Sequence, residues 1–305
     1  MWGPFFRRAP LRVRRERVVT DDGDFVDLDW LDATAAADAS LLFVLHGLEG
    51  SSRSHYVLGL LDGARRRGWR GVALNFRSCS GELNRLPRFY HSGDTGDFDA
   101  IVRLLIAREP GVRLGVAGVS IGGNVLLKWL GEQGTAAPAQ VVARAAISVP
   151  FDLAASAEAL DRGFAKLVYT ANFMRTMRRK VIEKARTHPG FVDVGAARRA
   201  RTFAVYDSAV TAPLFGFADA RDYWRRASSR PYLATIARPT LLLNALDDPF
   251  VPRPGLPTPA ELSPHLRLVT TPRGGHVGFV EGRWPWRATS WAERRALDFL
   301  AGMLR

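Results

Sequence analysis

The chain has 305 residues, of which 47 % are hydrophobic, so it is long enough to bury a large core. Lys and Arg total 43 against 30 acidic residues, a formal net charge of +13. Because no zinc knuckle, RNP pattern or basic zipper accompanies this charge, a nucleic-acid partner is not expected. Cys79 is the single cysteine, which excludes an intramolecular disulfide and a thiolate metal site and agrees with a reducing cytoplasm.

The N-terminal segment, Met1–Val19, is basic and has no apolar run after its arginines, unlike a secretory signal peptide. No stretch of the sequence approaches the roughly 20 apolar residues that a membrane span requires. These two observations predict a soluble cytoplasmic protein.

Apolar runs and turn residues predict strands that alternate with helices along most of the chain. A hairpin around Asp21–Gly23 joins the first two strands. The strands are expected at Arg17–Val19, Phe25–Leu31, Leu41–Leu45, Gly71–Asn75, Val112–Ala117, Ala143–Val149, Pro239–Ala245 and Leu266–Thr271. The helices are expected at Tyr56–Arg67, at Asp94–Arg108, after Gly118–Gly123 through Gly131, and at Ala288–Leu304. This alternation predicts an α/β fold with a mostly parallel sheet that carries helices on both faces.

One long segment, Phe151–Thr235, interrupts the alternation, because it contains no strand-like run and is unusually basic. We interpret it as a helical cap inserted between two strands of the sheet. The predicted organisation is therefore a core formed by residues 1–150 and 236–305, with residues 151–235 as the cap.

The motif G-x-S-x-G occurs at Gly118–Gly122, between an apolar strand and a helix. This setting is typical of a nucleophile elbow, a tight turn that exposes a serine hydroxyl, here that of Ser120. The glycines allow the strand and the helix to approach closely. The Ile121 N–H then lies at a helix N-terminus, where negative charge is stabilised, so it is a candidate oxyanion donor.

A serine nucleophile needs a base and a carboxylate that orients the base, and in this fold the three follow in the order serine, acid, histidine. Asp247 and Asp248 follow the strand at Pro239–Ala245, and His276 follows the strand at Leu266–Thr271. Both positions are carboxyl ends of strands, where substrate sites in open α/β sheets gather. Alignment of Pro249 with the proline that usually follows the acid favours Asp248, with Asp247 as the alternative.

The loop after the first buried strand, His46–Gly50, is the usual place of the second oxyanion donor, assigned here to the Leu48 N–H. We expect His46 to be a packed or hydrogen-bonded side chain, since the loop acts through its backbone. We also expect His91 to lie in a capped loop and Cys79 to be a buried structural thiol.

Seven segments in order resemble the YheT-like hydrolases, bacterial relatives of plant embryogenesis-associated proteins and of animal α/β-hydrolase-domain lipases. The segments are LHGLEGSSRSHY (45–56), NFRSCSGELNR (75–85), YHSGDTGD (90–97), GVSIGGN (118–124), GFADARDYW (216–224), NALDDPFVP (244–252) and GGHVGF (274–279). The resemblance implies an α/β-hydrolase fold and esterase-like or lipase-like activity with a Ser–Asp–His triad, here Ser120, His276 and one acid of the Asp247–Asp248 pair. The animal relatives carry an N-terminal membrane anchor, and we expect this protein to have no counterpart of it.

The predicted function is hydrolysis of carboxylic esters or acyl lipids through an acyl-enzyme on Ser120, without a metal or cofactor. Thioesterase, amidase and lipase chemistry on the same triad are the closest alternatives, and a non-catalytic ligand-binding or membrane-surface module on the same fold is a further one. The stretch Leu160–Arg186 repeats apolar residues at helical spacing beside many cations. It could pack on the core and line an acyl pocket, or make a weak contact with anionic membranes.

Overall fold

The computed structural model describes residues 11–32, 35–282 and 288–304. Arg7 and Arg8 of the basic N-terminal segment lie outside these residues. Within them, no helix is both long and apolar enough to span a bilayer.

Eight strands within the described residues form one twisted sheet in the order β1-β2-β4-β3-β5-β6-β7-β8. The pairs β1–β2 and β2–β4 are antiparallel, and the remaining pairs are parallel. The strands are β1 Val13–Val19, β2 Phe25–Leu31, β3 Leu41–Leu45, β4 Arg70–Asn75, β5 Leu114–Val119, β6 Val141–Ile147, β7 Thr240–Ala245 and β8 Leu266–Thr271. A two-stranded ribbon follows, with β9 at Val280–Glu281 and β10 at Thr289–Ser290.

The helices fall into a group that belongs to the sheet and a group between β6 and β7. The first group is α1 His55–Arg65, α2 Gly96–Arg108, α3 Ile121–Gln133 and, last in the chain, α11 Trp291–Ala301. The second is α4 Leu153–Leu160, α5 Gly163–Ala165, α6 Ala171–Thr187, α7 Val194–Arg199, α8 Phe203–Tyr206, α9 Ala212–Phe215 and α10 Ala220–Ala227. Two π-helical turns, Lys166–Thr170 and Asp207–Thr211, and a 3₁₀ segment, Arg230–Thr235, complete the second group.

The apolar core has a layer on each face of the sheet and a third cluster among the helices between β6 and β7. One face packs Phe43, Phe98 and Trp129 together, and the other packs Leu42, Leu60 and Leu297. The third cluster includes Phe203 and Trp224. The sheet is therefore covered on both sides, as the alternating pattern predicts. We call residues 151–235 the cap, a division of the chain that remains a prediction.

Several element boundaries differ from those expected. Strand β5 lies two residues later than predicted, because the glycines of the elbow continue the strand up to Ser120 itself. Helix α2 begins at Gly96 rather than at Asp94, since Thr95 occupies its N-cap position. The last helix begins at Trp291, because Thr289–Ser290 pair with Val280–Glu281 as a ribbon that the apolar pattern did not indicate.

Candidate active site

Ser120 lies at a strained turn between β5 and α3. Its backbone adopts φ 56° and ψ −123°, a conformation that is costly for a residue with a Cβ atom. The turn is tight because a Cβ on Gly118 would lie 2.5 Å from the Gly122 carbonyl oxygen, and one on Gly122 would lie 2.6 Å from the carbonyl oxygens of Leu45 and His46. Close packing of backbone on backbone thus holds the Ser120 hydroxyl at the carboxyl edge of the sheet.

His276 connects Ser120 to a carboxylate. Its Nε2 lies 3.0 Å from Ser120 Oγ, and its Nδ1 lies 2.8 Å from Asp248 Oδ2. The Asp248 side chain is fully buried, and its other oxygen accepts a 2.8 Å hydrogen bond from the Phe250 N–H. The arrangement orients the imidazole with Nδ1–H toward Asp248 and Nε2 toward the serine hydroxyl, as transfer of the serine proton requires.

Asp247 contacts the same loop but not the imidazole. Its Oδ1 accepts a 2.8 Å hydrogen bond from the Gly275 N–H, which fixes the turn that carries His276. The Phe250 ring stacks on the imidazole with centroids 4.1 Å apart and a tilt of 21°. The two adjacent aspartates thus have different partners, one the histidine ring and the other its backbone.

The loop His46–Gly50 lies against the serine, and a Cβ on Gly47 would meet Ser120 Cβ at 3.1 Å. The Gly47 N–H donates to Tyr56 Oη at 2.9 Å, and the Glu49 N–H donates to Tyr90 Oη at 2.8 Å. The Leu48 N–H between them has no hydrogen-bond acceptor in the described part of the chain. Leu48 and Ile121 both line the cavity beside Ser120, and the Ile121 N–H is in the first helical turn, where such groups lack partners within the helix.

The other conspicuous side chains are engaged elsewhere. His46 is fully buried; its Nε2 accepts from the Phe76 N–H at 3.1 Å, so its Nδ1 carries the proton and donates to the Gly47 carbonyl at 2.7 Å. Burial lowers the pKa of His46 to about 4, so it stays neutral. His91 packs against Phe215, and burial lowers its pKa to about 3. Cys79 is buried, which raises the pKa of its thiol to about 11.

Ser120 and His276 open into a cavity of about 840 Å³. The cap contributes mainly apolar side chains to the lining, and β9 and Trp291 also contribute to it. The cap residues that line the cavity are Leu153, Ser156, Ala157, Leu160, Tyr169, Phe173, Phe203, Asp207, Tyr223 and Trp224. An apolar cavity that converges on a few polar groups is typical of a small-molecule site. Within the described ranges, no three His, Cys, Asp or Glu side chains are grouped as metal ligands would be.

Sequence reasoning missed one buried acid in this cavity wall, Asp207. Its carboxylate accepts hydrogen bonds from Thr211 Oγ1 at 2.7 Å and from Trp224 Nε1 at 2.8 Å. Burial raises the pKa of Asp207 to about 6. Thr211 belongs to the same π-helical turn, but Trp224 comes from α10, so the sequence around Asp207 gives no signal that its side chain faces inward.

The expected amphipathic stretch Leu160–Arg186 does not form one continuous cationic face. Two of its cations, Lys180 and Lys184, point inward from α6. Lys180 pairs with Glu49, and Lys184 donates to backbone and amide oxygens of the segment Asn84–Leu86. The apolar stripe is also split, because Met174 and Val181 are buried, whereas Phe164 and Leu167 are 72 % and 76 % exposed.

The sequence from residue 40 to residue 283 matches the family model described as the alpha/beta hydrolase fold. The chain therefore belongs to the α/β-hydrolase family.

Within this family it resembles the YheT-like hydrolases, as the seven segments predict. It is 38 % identical to YheT of Escherichia coli (strain K12), provisionally named an esterase, over 98 % of this chain and 88 % of that protein. It is 33 % identical to the mouse (Mus musculus) phospholipase ABHD3 over 97 % of this chain and 73 % of that protein. The esterase Pf2001 of Pyrococcus furiosus has the same fold, with a TM-score of 0.60, 17 % identity, and coverage of 97 % and 94 % of the two chains. The family relationships make this protein an esterase/lipase-type hydrolase.

Proposed function

We propose that this protein is a serine hydrolase that cleaves carboxylic esters through a Ser120–His276–Asp248 triad. The observation that carries the proposal is the continuous contact from Ser120 Oγ to His276 Nε2 and from His276 Nδ1 to Asp248, at 3.0 and 2.8 Å. A surface serine without such partners would be a weak nucleophile.

In the proposed reaction, His276 Nε2 removes the hydroxyl proton of Ser120 as Oγ attacks the ester carbonyl carbon. Asp248 stabilises the imidazolium that forms, and the N–H groups of Leu48 and Ile121 donate to the oxyanion. His276 then gives its proton to the departing alkoxide, which leaves as the alcohol. Water, deprotonated by His276, attacks the acyl-enzyme and releases the acid and free Ser120. The cycle requires no metal or cofactor.

The cavity favours an acyl substrate. Its cap side is mainly apolar, so an acyl chain bound there would bury its methylene groups at roughly 0.8 kcal/mol each. Arg273 and Glu281 add charged groups to the lining, and they suit the alcohol part of the substrate. Thioesters and amides would fit the same triad, so turnover of matched oxygen ester, thioester and amide substrates separates these classes.

The test combines turnover of p-nitrophenyl esters of increasing chain length with labelling by a fluorophosphonate probe. Ser120→Ala should lose at least about 10³-fold in kcat and all labelling, since the nucleophile is removed. Its melting temperature should stay close to that of the wild type, which excludes misfolding as the cause. A Ser120→Ala variant with full turnover contradicts the triad, and a folded wild type without turnover or labelling favours a non-catalytic ligand-binding module.

A weak contact with anionic membrane surfaces is part of the proposal. Phe164 and Leu167 are the two most exposed large hydrophobic side chains within the described residues, and they are three positions apart beside the cavity. The Phe164 ring lies 6.5 Å from that of Tyr169, which lines the cavity. Arg162, with its side chain 76 % exposed, is adjacent. A membrane contact at this point would place acyl substrates close to the cavity.

A further inference from the structure

One ion pair joins the cap to the loop that carries the Leu48 N–H. Lys180 of α6 lies with its Nζ 2.7 Å from Glu49 Oε1, and both side chains are largely buried, at 17 % and 8 % exposure. Burial alone would lower the pKa of Lys180, but the adjacent Cys79 and Glu49 groups raise it, so the ammonium stays charged. Lys180 Nζ also lies 3.5 Å from Cys79 Sγ.

Glu49 holds a backbone conformation that needs support. Its φ of 54° is in the left-handed region, which is unfavourable for a residue with a Cβ atom. The conformation is held by two contacts with Tyr90, whose Oη accepts from the Glu49 N–H and donates to Glu49 Oε1, and by the ion pair with Lys180. Lys180 is thus the contact from the cap that helps to hold the carboxylate in place.

The neighbouring residue connects this pair to the chemistry. Leu48 precedes Glu49 directly, and its side chain packs against the apolar cluster of the cap, while its N–H has no acceptor among residues 11–32, 35–282 and 288–304. The N–H groups on either side are committed to Tyr56 and Tyr90. The orientation of the Leu48 N–H therefore depends on Leu48 packing and on the conformation of Glu49, and the cap contributes to both.

We propose that Lys180 is a positioning residue that acts through Glu49 and holds the Leu48 N–H toward the oxyanion. The hydrogen bond from the Leu48 N–H to the oxyanion then depends on the packing of α6 against the core. The inference rests on the proposed function, because it assigns Lys180 an effect on the transition state of that reaction. When α6 leaves the core, Lys180 leaves Glu49, the strained backbone relaxes, and one of the two oxyanion donors is lost.

The test compares two lysines of the same helix. Lys184, one turn further along α6, also reaches from the cap to the core, but it donates to the Leu86 carbonyl and to Asn84, away from the oxyanion loop. Lys180→Met should lower kcat by about 10-fold or more with little change in KM, since loss of a whole oxyanion donor costs on the order of 10²–10³. Lys184→Met should reduce the melting temperature at least as much and leave kcat of the folded enzyme near the wild-type value.

Two further variants separate positioning from general loosening of the cap. Lys180→Arg preserves the charge and should recover most of the lost kcat. Glu49→Gln should lower kcat to a similar degree as Lys180→Met, and the double variant should be no worse than either single one, because both remove the same interaction. Affinity for an aryl boronic acid, which forms a tetrahedral adduct on the serine, should fall in parallel with kcat.

An unchanged kcat in Lys180→Met overturns the inference, and so does an equal loss of kcat in Lys184→Met. These results are distinct from failure of the proposed function, which would appear as turnover that persists in Ser120→Ala. With Ser120 essential and Lys180 without effect, the triad proposal stands and the coupling of the cap to the oxyanion loop is rejected.

Discussion

Two adjacent aspartates follow β7, and they differ in the atom that each contacts. Asp248 accepts from the ring of His276, whereas Asp247 accepts from the Gly275 backbone. Asp248→Asn should lower kcat on the order of 10⁴-fold, because an amide at this position stabilises the wrong imidazole tautomer. Steady-state kinetics on a p-nitrophenyl ester measures the loss.

Asp247→Asn is the matched control, since it changes the same charge one residue away. Its amide oxygen can still accept from the Gly275 N–H, so we expect a loss smaller than about 10-fold. A larger loss of kcat in Asp247→Asn than in Asp248→Asn would assign the acid to Asp247.

Asp207 predicts a dependence of stability on pH. Its pKa in the folded protein, about 6, lies above the ordinary value of 3.8, so the folded state holds this proton more tightly than the unfolded chain. The free energy of unfolding therefore falls as the pH rises from about 4 through 6, by about 3 kcal/mol for a shift of two pKa units. The side chain in Asp207→Asn is neutral at every pH, so the free energy of unfolding of this variant should lack this decline.

Urea unfolding of both proteins at pH 4 and pH 8 measures the effect. Because every other titrating group is common to the two proteins, the stability of the wild type relative to Asp207→Asn should be lower at pH 8 than at pH 4. A difference between the proteins that is the same at both pH values would show that Asp207 does not titrate as inferred.

Ser120, His276 and Asp248, the candidate site residues of the sequence, lie together in the structure. Each was chosen because a motif occurs directly after a predicted strand. Ser120 follows an apolar strand within a glycine motif, and His276 follows a later strand in a glycine-rich loop, so both could be located before the structure was known. The choice of Asp248 relied on Pro249, because strand position does not fix the direction of a side chain. Tyr56, Tyr90 and Asp207 had no such signal, because their hydrogen bonds with Gly47, Glu49 and Trp224 join separate elements.

The turn at Gly118–Gly122 keeps its geometry because its glycines have no Cβ atom. Gly122 of α3 faces the carbonyl oxygens of Leu45 and His46 at the end of β3, so a Cβ there meets backbone at 2.6 Å. Gly122→Ala should reduce the free energy of unfolding by about 1–3 kcal/mol, because neither strand nor helix can move away without disturbing Ser120. Chemical denaturation and ester turnover together should show both stability and kcat reduced.

Gly111 provides the control for this element. It precedes β5, its φ is negative, and no atom lies within 4 Å of a Cβ built on it. Gly111→Ala should leave turnover unchanged and raise stability by a few tenths of a kcal/mol, because alanine restricts the unfolded chain. Equal stability of Gly122→Ala and Gly111→Ala would contradict the close packing at the elbow.

Elements that depend on local pattern were predicted well, and those that depend on distant contacts were not. The short apolar run Leu41–Leu45 is typical of a strand buried on both faces, and the structure gives the same bounds. The inward direction of Lys180 and Lys184 could not be predicted, because helical periodicity assigns lysines to solvent. Their partners, Glu49 and Asn84, lie 131 and 100 residues away in the sequence. Tertiary pairing here overrides the preference of the isolated helix.

For the molecule as a whole, the total of 43 Lys and Arg residues overstates the number of cations free to contact a partner, because many of them are paired with acids. Arg15 and Arg17 pair with Asp29 and Asp27, and Arg77 is buried between acids. Attraction to a membrane should therefore depend on the exposed cap cations and on insertion of Phe164 and Leu167. Each cation near an anionic surface contributes about 1 kcal/mol.

The wild type should co-sediment with anionic vesicles more than with neutral ones, and less at high salt, because salt screens the attraction. The double variant F164S/L167S should lose most of this binding, while Val19→Ser, which changes an exposed apolar residue of β1, should retain it. Equal or absent binding to both vesicle types would leave the cap as a wall of the cavity only.

The placement of the cap between two paired strands has a consequence for the order of folding. Ile147 of β6 pairs with Leu243 of β7, roughly 95 residues further along the chain. Closing a flexible loop of that length costs about 2 kcal/mol more than closing a crossover of a dozen residues, so pairing of β6 with β7 is favoured only once the cap helices have gathered the chain. Asp248 and His276 both follow β7, so they leave the ribosome after Ser120 and after the whole of the cap. A nascent chain therefore carries Ser120 before its proposed base, His276, and we expect no ester turnover until β7 and β8 have joined the sheet.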